Sequence, residues 1–256
     1  MSRFVASRTP ELFAESPDGV LIAYRVHSAA DDTTPPVLLV HGFASTAEVT
    51  WEGSGWVRAL QAAHRTVVTV DLRGHGQSDK PVDANSYGPE RLGDDLLAVL
   101  DSAGADRVDV IGYSMGNRVV SALATIAPER VRRVVIGGAG PLELFASWDL
   151  DDARGVLLRD EPSRNPVIDQ VLRPAIAAGA DREALLACIE GVSGAPLMIP
   201  GSIPVLFVVG ENDPVPAGAR ELALEWGSDI VTIPGRDHVS TLTARAFKDA
   251  AIDFLA

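Results

Sequence analysis

Apolar residues fall along this chain in short continuous runs separated by longer stretches of helical spacing. Pro36 to Val40, Thr66 to Val70, Val108 to Ile111, Val131 to Ile136, Val205 to Gly210 and Ile230 to Ile233 are rich in β-formers and barely alternate with polar residues. Runs of this kind belong to strands buried on both faces. Most are separated by segments with apolar positions every three or four residues. These segments are Trp56 to Ala63, Pro89 to Ala103, the stretch from Met115 through Val119 and Leu123 to Ala127, and Ala217 to Trp226. A closing helix carries Phe247, Ala251, Phe254 and Leu255. Helices between buried strands call for parallel strands joined by crossovers, so the predicted class is α/β, one sheet with helices on both faces. Ahead of it, Glu11 to Ser16 and Val20 to His27 alternate about Pro17-Asp18-Gly19, which predicts an antiparallel hairpin.

From Leu142 to Pro200 no β-rich run occurs, and helices are predicted over Ser147 to Leu158, Val167 to Ala178 and Asp181 to Val192, the last with Asp181 as N-cap. A strandless stretch inside an alternating chain predicts a helical insertion over one edge of the sheet. That divides the chain into a core of 1–141 and 201–256 and a cap of 142–200. The alternative is a run of crossover helices in the ordinary helical layer.

Composition narrows the partners. The chain has 256 residues, and 35 acidic against 22 basic side chains give a formal charge of −13, a field that repels phosphate backbones and anionic lipid. Neither nucleic acid nor a membrane is an expected partner, and a small molecule is. Cys188 is the single cysteine, which excludes an intrachain disulfide and any paired-thiolate metal or redox site. Its apolar neighbours predict a buried small residue. Met1 to Arg8 lacks the apolar core of a signal peptide, and no run reaches membrane-spanning length, so a cytoplasmic location is expected.

In a parallel sheet, reactive side chains gather on the loops leaving the strand ends. Gly112-Tyr113-Ser114-Met115-Gly116 follows one predicted strand and opens a helix, the setting of a nucleophile elbow. Asp213 follows a second strand and His238 the last. A serine hydroxyl attacks only with an imidazole to take its proton, and the imidazole needs a carboxylate to fix its tautomer. Ser114, Asp213 and His238 occur in the required order. Asp237 ranks below Asp213 because adjacent loop side chains diverge, and Glu143 is the reserve acid. Acyl chemistry also needs donors for an oxyanion, and the backbone N–H groups of Met115 and Phe43 are the expected pair.

The blocks His41-Gly42-Phe43, Asp71 to Asp79, Gly112 to Gly116, Gly210 to Pro216 and Gly235 to His238 together resemble the α/β-hydrolases of the esterase, lactonase and cofactor-free haloperoxidase group, over nearly the whole chain. The resemblance implies an eight-stranded, mostly parallel sheet with Ser114 as nucleophile, His238 as base, Asp213 as acid and a helical cap. It also implies no cofactor and no metal, and a mainly structural loop from Asp71 to Asp79. Relatives commonly carry glycine where Asn117 stands and an aromatic residue where Val239 stands; both positions are expected to border the pocket. A serine nucleophile argues against the dehalogenase and epoxide hydrolase branches, which use aspartate.

The expected function is hydrolysis of a small carboxylic ester or lactone through an acyl-Ser114 intermediate. Phe145, Trp148 and Val239 are the expected pocket residues, and Leu157, Leu158, Ile168 and Leu172 add apolar surface to the cap. The acidic excess argues against an anionic substrate, and any local basic pocket is expected from Arg154, Arg159 or Arg173. The same triad also serves carbon–carbon bond hydrolysis and perhydrolysis. A reading of another class is a slow-turnover ligand receptor or stress regulator that signals to a protein partner through the cap.

Overall fold

A computed structural model describes residues 9–30 and 34–256. The N-terminal stretch read for a signal peptide and residues 31–33 of the polar segment before the third strand lie outside the described residues. The strands are β1 (Leu12–Glu15), β2 (Leu21–His27), β3 (Val37–Val40), β4 (Val67–Val70), β5 (Val108–Tyr113), β6 (Val131–Gly137), β7 (Val205–Gly210) and β8 (Asp229–Ile233). They form one eight-stranded sheet in the order β1-β2-β4-β3-β5-β6-β7-β8. The hairpin β1–β2 and the β2–β4 pair are antiparallel, and every other pairing is parallel. Gly19, at φ +84°, makes the hairpin turn that Pro17-Asp18-Gly19 predicts.

Successive residues of each central strand face opposite sides, and two apolar cores result. Leu38, Val40, Val68, Val70, Val110 and Ile136 face α2 (Pro89–Ser102), α3 (Gly116–Ile126) and the helices of 142–200. Val37, Leu39, Val67, Ile111, Val135 and Val208 face α1 (Trp56–Ala62) and α9 (Arg245–Leu255), where Trp56, Leu60, Phe247 and Ala251 are fully buried. One of the six runs read as buried departs from that reading. β8 is the sheet edge, and only Ile233 in it is fully covered.

The segment 142–200 holds α4 (Leu150–Arg159), α5 (Pro166–Ala177) and α6 (Arg182–Val192), with a short helical turn at Phe145–Ser147 ahead of them. Asp149, Asn165 and Asp181 cap the three helices by accepting first-turn N–H bonds. Their apolar faces join the same core as α2 and α3, and Leu157, Ile168, Leu172 and Leu185 are fully buried. α7 (Ala219–Trp226) and α8 (His238–Thr243) follow β7 and β8. Among the described residues no helix is long and apolar enough to cross a membrane.

Candidate active site

Ser114 lies between β5 and α3 with φ +52°, in the left-handed region. That conformation costs a non-glycine residue about 1–2 kcal/mol, so the surroundings must impose it. Ser114 N–H donates to the Gly137 carbonyl on β6 at 2.9 Å. Asn117 Nδ2 donates to the Ser114 carbonyl at 3.1 Å and to the Gly137 carbonyl at 3.0 Å, tying the turn to the neighbouring strand. The two motif glycines are required by close approach. A Cβ on Gly116 would stand 2.4 Å from the His41 carbonyl oxygen, and one on Gly112 would stand 2.4 Å from Asn117 Oδ1. Asn117 is therefore buried beneath the elbow and does not border the cavity, contrary to the sequence expectation.

His238 is not in a loop, as the sequence suggested, but opens α8. Asp237 and Ser240 cap each other's backbone there and start the helix directly at His238. Asp237 is thereby occupied. The buried carboxylate of Asp213 reaches the imidazole instead, with Oδ2 2.8 Å from Nδ1. Its Oδ1 accepts the Val215 N–H at 2.9 Å. A carboxylate only accepts, so Nδ1 carries a proton, and Nε2 is the ring nitrogen left to act as base. Tyr113 supports His238 from below: its hydroxyl donates to the His238 carbonyl, and the rings lie 5.2 Å apart. Burial raises the Tyr113 pKa and keeps the phenol a donor. Sequence reasoning missed Tyr113, although a tyrosine ending a buried strand signals a hydroxyl in need of a partner.

The loop after β3 closes on Ser114 from the other side. A Cβ on Gly42 would lie 3.1 Å from Ser114 Cβ. Among the described residues neither the Phe43 nor the Met115 N–H donates to a protein acceptor. Two buried histidines hold this loop. His41 Nε2 accepts the Leu72 N–H at 3.0 Å, and His75 Nε2 accepts the Ala44 N–H at 3.0 Å. Burial lowers both pKa values, that of His75 to about 3, which keeps these nitrogens acceptors. Asp71 accepts the Ala47 N–H at 2.7 Å and the Gln77 N–H at 3.0 Å, and Arg73 pairs with Asp95 and Asp18. The polar residues from Asp71 to His75 are thus occupied in holding the loops.

Ser114 and His238 border one cavity of about 370 Å³, with Phe43, Met115, Leu144, Phe145, Val171 and Val239 among its walls. Among the described residues the imidazole's hydrogen bond is to Asp213, and the Ser114 hydroxyl makes none to it. Of the expected pocket residues, Phe145 and Val239 border the cavity and Trp148 does not. Trp148 is 6% exposed and packs edge-on against Phe145, with centroids 5.0 Å apart. Leu157, Ile168 and Leu172 are consumed in the core and Leu158 lies off the cavity, so most of this apolar surface of 142–200 is packing. Glu143 borders the cavity, but its carboxylate accepts the N–H groups of Phe145 (2.8 Å) and Ala146 (2.9 Å), which occupies the reserve acid. Cys188 is buried with Sγ 3.9 Å from Met115 Sδ, and burial pushes its thiol pKa up.

The basic residues also differ from expectation. Arg154, Arg159 and Arg173 do not border the cavity and pair with Glu190, Glu161 and Asp169 at 2.7–2.9 Å. The cation on the cavity wall is Arg118, which sequence reasoning missed. Its signal was present in the polar pair Asn117-Arg118 at the start of an otherwise apolar helix.

A family model described as the alpha/beta hydrolase fold matches residues 35–175. A 2-hydroxymuconate semialdehyde hydrolase from Pseudomonas putida is 36% identical over 47% of this chain and 42% of its own length. The chain thus aligns with less than half the length of that relative. Over nearly the full length of both chains, a hydrolase from Pseudomonas aeruginosa PA01 superposes with TM-score 0.76 at 28% identity, covering 98% of this chain and 99% of that one. An enol-lactonase from Burkholderia xenovorans LB400 superposes with TM-score 0.74 at 26% identity, covering 95% and 99%. With the eight-stranded sheet and the serine on its strand-to-helix turn, these likenesses agree: the chain belongs to the alpha/beta hydrolase fold family.

Proposed function

We propose that this chain is a serine hydrolase that cleaves a small carboxylic ester or lactone through an acyl-Ser114 intermediate. The observation that carries the proposal is the cavity shared by Ser114, at φ +52°, and His238, whose Nδ1 is fixed 2.8 Å from Asp213. His238 Nε2 takes the hydroxyl proton as Ser114 Oγ adds to the substrate carbonyl, and the Phe43 and Met115 amides receive the oxyanion. Collapse breaks the ester bond, with the imidazolium returning its proton to the leaving alkoxide. Water then repeats the cycle at the acyl group, releases the acid and restores Ser114. Asp213 stabilises the imidazolium, and Tyr113 holds the backbone that carries the ring.

The segment 142–200 acts as the cap that shapes the acyl and alcohol sites, through Leu144, Phe145, Val167 and Val171. Similarity to an enol-lactonase supports the ester and lactone assignment. A second reading rests on the relative named a semialdehyde hydrolase: such a compound has no ester bond, so hydrolysis there breaks carbon–carbon. The test is turnover of short p-nitrophenyl esters alongside labelling by a fluorophosphonate. Turnover with labelling, both lost in Ser114→Ala, is expected. Labelling without turnover of any ester or lactone would overturn the assignment in favour of the second reading or of a receptor.

A further inference from the structure

Three arginines are almost fully buried among the described residues: Arg65 at 5% exposure, Arg73 at 0% and Arg118 at 3%. The first two are neutralised in the manner a buried guanidinium demands. Arg65 pairs with Asp109, and Arg73 with Asp95 at 2.5 Å and with Asp18 at 2.9 Å. Taking a guanidinium out of water without a counter-ion is costly, and folded chains supply one. Arg118 has none. Its five N–H donors make one hydrogen bond among the described residues, from Nη2 to the Gly140 carbonyl at 2.7 Å, and Nη1 is buried without any acceptor. Glu143 is near enough to act on it electrostatically but lies outside ion-pair reach, its oxygens turned to the Phe145 and Ala146 amides.

The position of this unmatched charge is what gives it meaning. Arg118 stands in the first turn of α3, just after the Met115 that caps this helix, and borders the 370 Å³ cavity that holds Ser114 and His238. It also walls a second cavity of about 310 Å³, beside Ser121, Thr125 and Met198. The remaining walls are largely apolar but include the carboxylates of Glu143 and Asp237, both engaged by backbone N–H groups, so the Arg118 guanidinium is the group there able to select an anion.

We infer that Arg118 is a carboxylate-recognition residue, and that the substrate is an ester or lactone that carries a free carboxylate. The substrate's carboxylate supplies the counter-ion that no described residue brings within ion-pair distance, and the guanidinium turns to present Nη1, which the protein covers in this structure, to it. A planar, forked guanidinium suits a carboxylate and fixes its orientation relative to Ser114. The overall charge of −13 then has a local exception: the surface repels anions, while the cavity holds one buried cation for them. This inference rests on the serine hydrolase proposal for the chemistry but not for the binding.

The experiment therefore has two arms. In the kinetic arm, aryl glutarate monoester and 4-acetoxybutanoate, acidic on the acyl and alcohol sides respectively, are compared with their methyl esters. At least one acidic ester is expected to have kcat/KM about 10-fold or more above its neutral counterpart. Arg118→Met should lower that acidic-to-neutral ratio by about 10- to 100-fold, and Arg118→Lys by less. In the binding arm, glutarate is titrated calorimetrically into the wild-type protein, Ser114→Ala and Arg118→Met. Binding to the first two and its loss in the third is expected. If no ester is turned over but glutarate binds in this pattern, the hydrolase proposal fails and the carboxylate site stands. Acidic esters cleaved no better than neutral ones, or glutarate that fails to bind wild type and Ser114→Ala alike, would overturn the site.

Discussion

The Tyr113 hydroxyl donates to the backbone carbonyl of His238, so the strand that ends at the nucleophile also anchors the residue that follows the last strand. The two rings lie 5.2 Å apart and tilted by 40°, which limits how the imidazole can swing. Serine and histidine are thereby referenced to one strand end, although 123 residues of chain intervene between Ser114 and His238.

Tyr113→Phe keeps the ring and removes the bond. A net hydrogen bond of about 1 kcal/mol corresponds to roughly a 5-fold effect, expected in kcat with KM little changed. Steady-state kinetics on a p-nitrophenyl ester would check it, and a purely KM effect would contradict a role in holding the base.

Asp213→Asn leaves a side chain of the same shape but can donate to Nδ1, which favours the wrong tautomer. A loss of kcat by about 10³- to 10⁴-fold is expected, with an unchanged circular dichroism spectrum. A loss near 10-fold would assign the orienting role elsewhere.

Ser114→Gly removes both the hydroxyl and the reason for strain at φ +52°. Thermal unfolding is expected to rise by about 2–4 °C, from relief of roughly 1 kcal/mol, while ester turnover disappears. A lower melting temperature would show that the elbow is not strained.

His75 ties acid stability to the loop that carries Phe43. Its folded pKa is about 3 against an ordinary 6.5, because burial disfavours the charged ring. The neutral form is native, so the unfolded chain binds the extra proton as pH falls through this window. The stabilisation is complete above pH 6.5 and declines toward pH 3, by up to about 1.4 kcal/mol per unit. Urea titrations at pH 7 and pH 5 should show wild type losing more stability than His75→Gln, by about 1–2 kcal/mol. Equal losses would mean that another group governs this range.

The strands and their parallel order were legible because each continuous apolar run has a single physical use, burial on two faces. The site was legible to the extent that it depends on strand ends: Ser114, Asp213 and His238 are where the topology sends them. What failed was side-chain direction. Phe145 and Trp148 sit three residues apart on a short turn, and the sequence offers no means of telling which one meets the cavity and which packs behind it. Arg154, Arg159 and Arg173 drew notice by number, but each has an acidic partner brought near only by folding. Arg118 has no such partner among the described residues, and an absence of pairing is visible only once the neighbours are placed. Asn117 was read as a pocket residue because it follows the elbow, yet helix α3 turns it under the elbow instead.

Trapping the acyl-enzyme bears most directly on the chemistry proposed for Ser114. The protein is mixed with a p-nitrophenyl ester, quenched in acid within the first turnover, digested and analysed by mass spectrometry. The expected result is one acyl group on the peptide carrying Ser114, accumulating with the burst of nitrophenolate and absent from Ser114→Ala. Undiminished turnover in Ser114→Ala, or an acyl group found only on another residue, would contradict it.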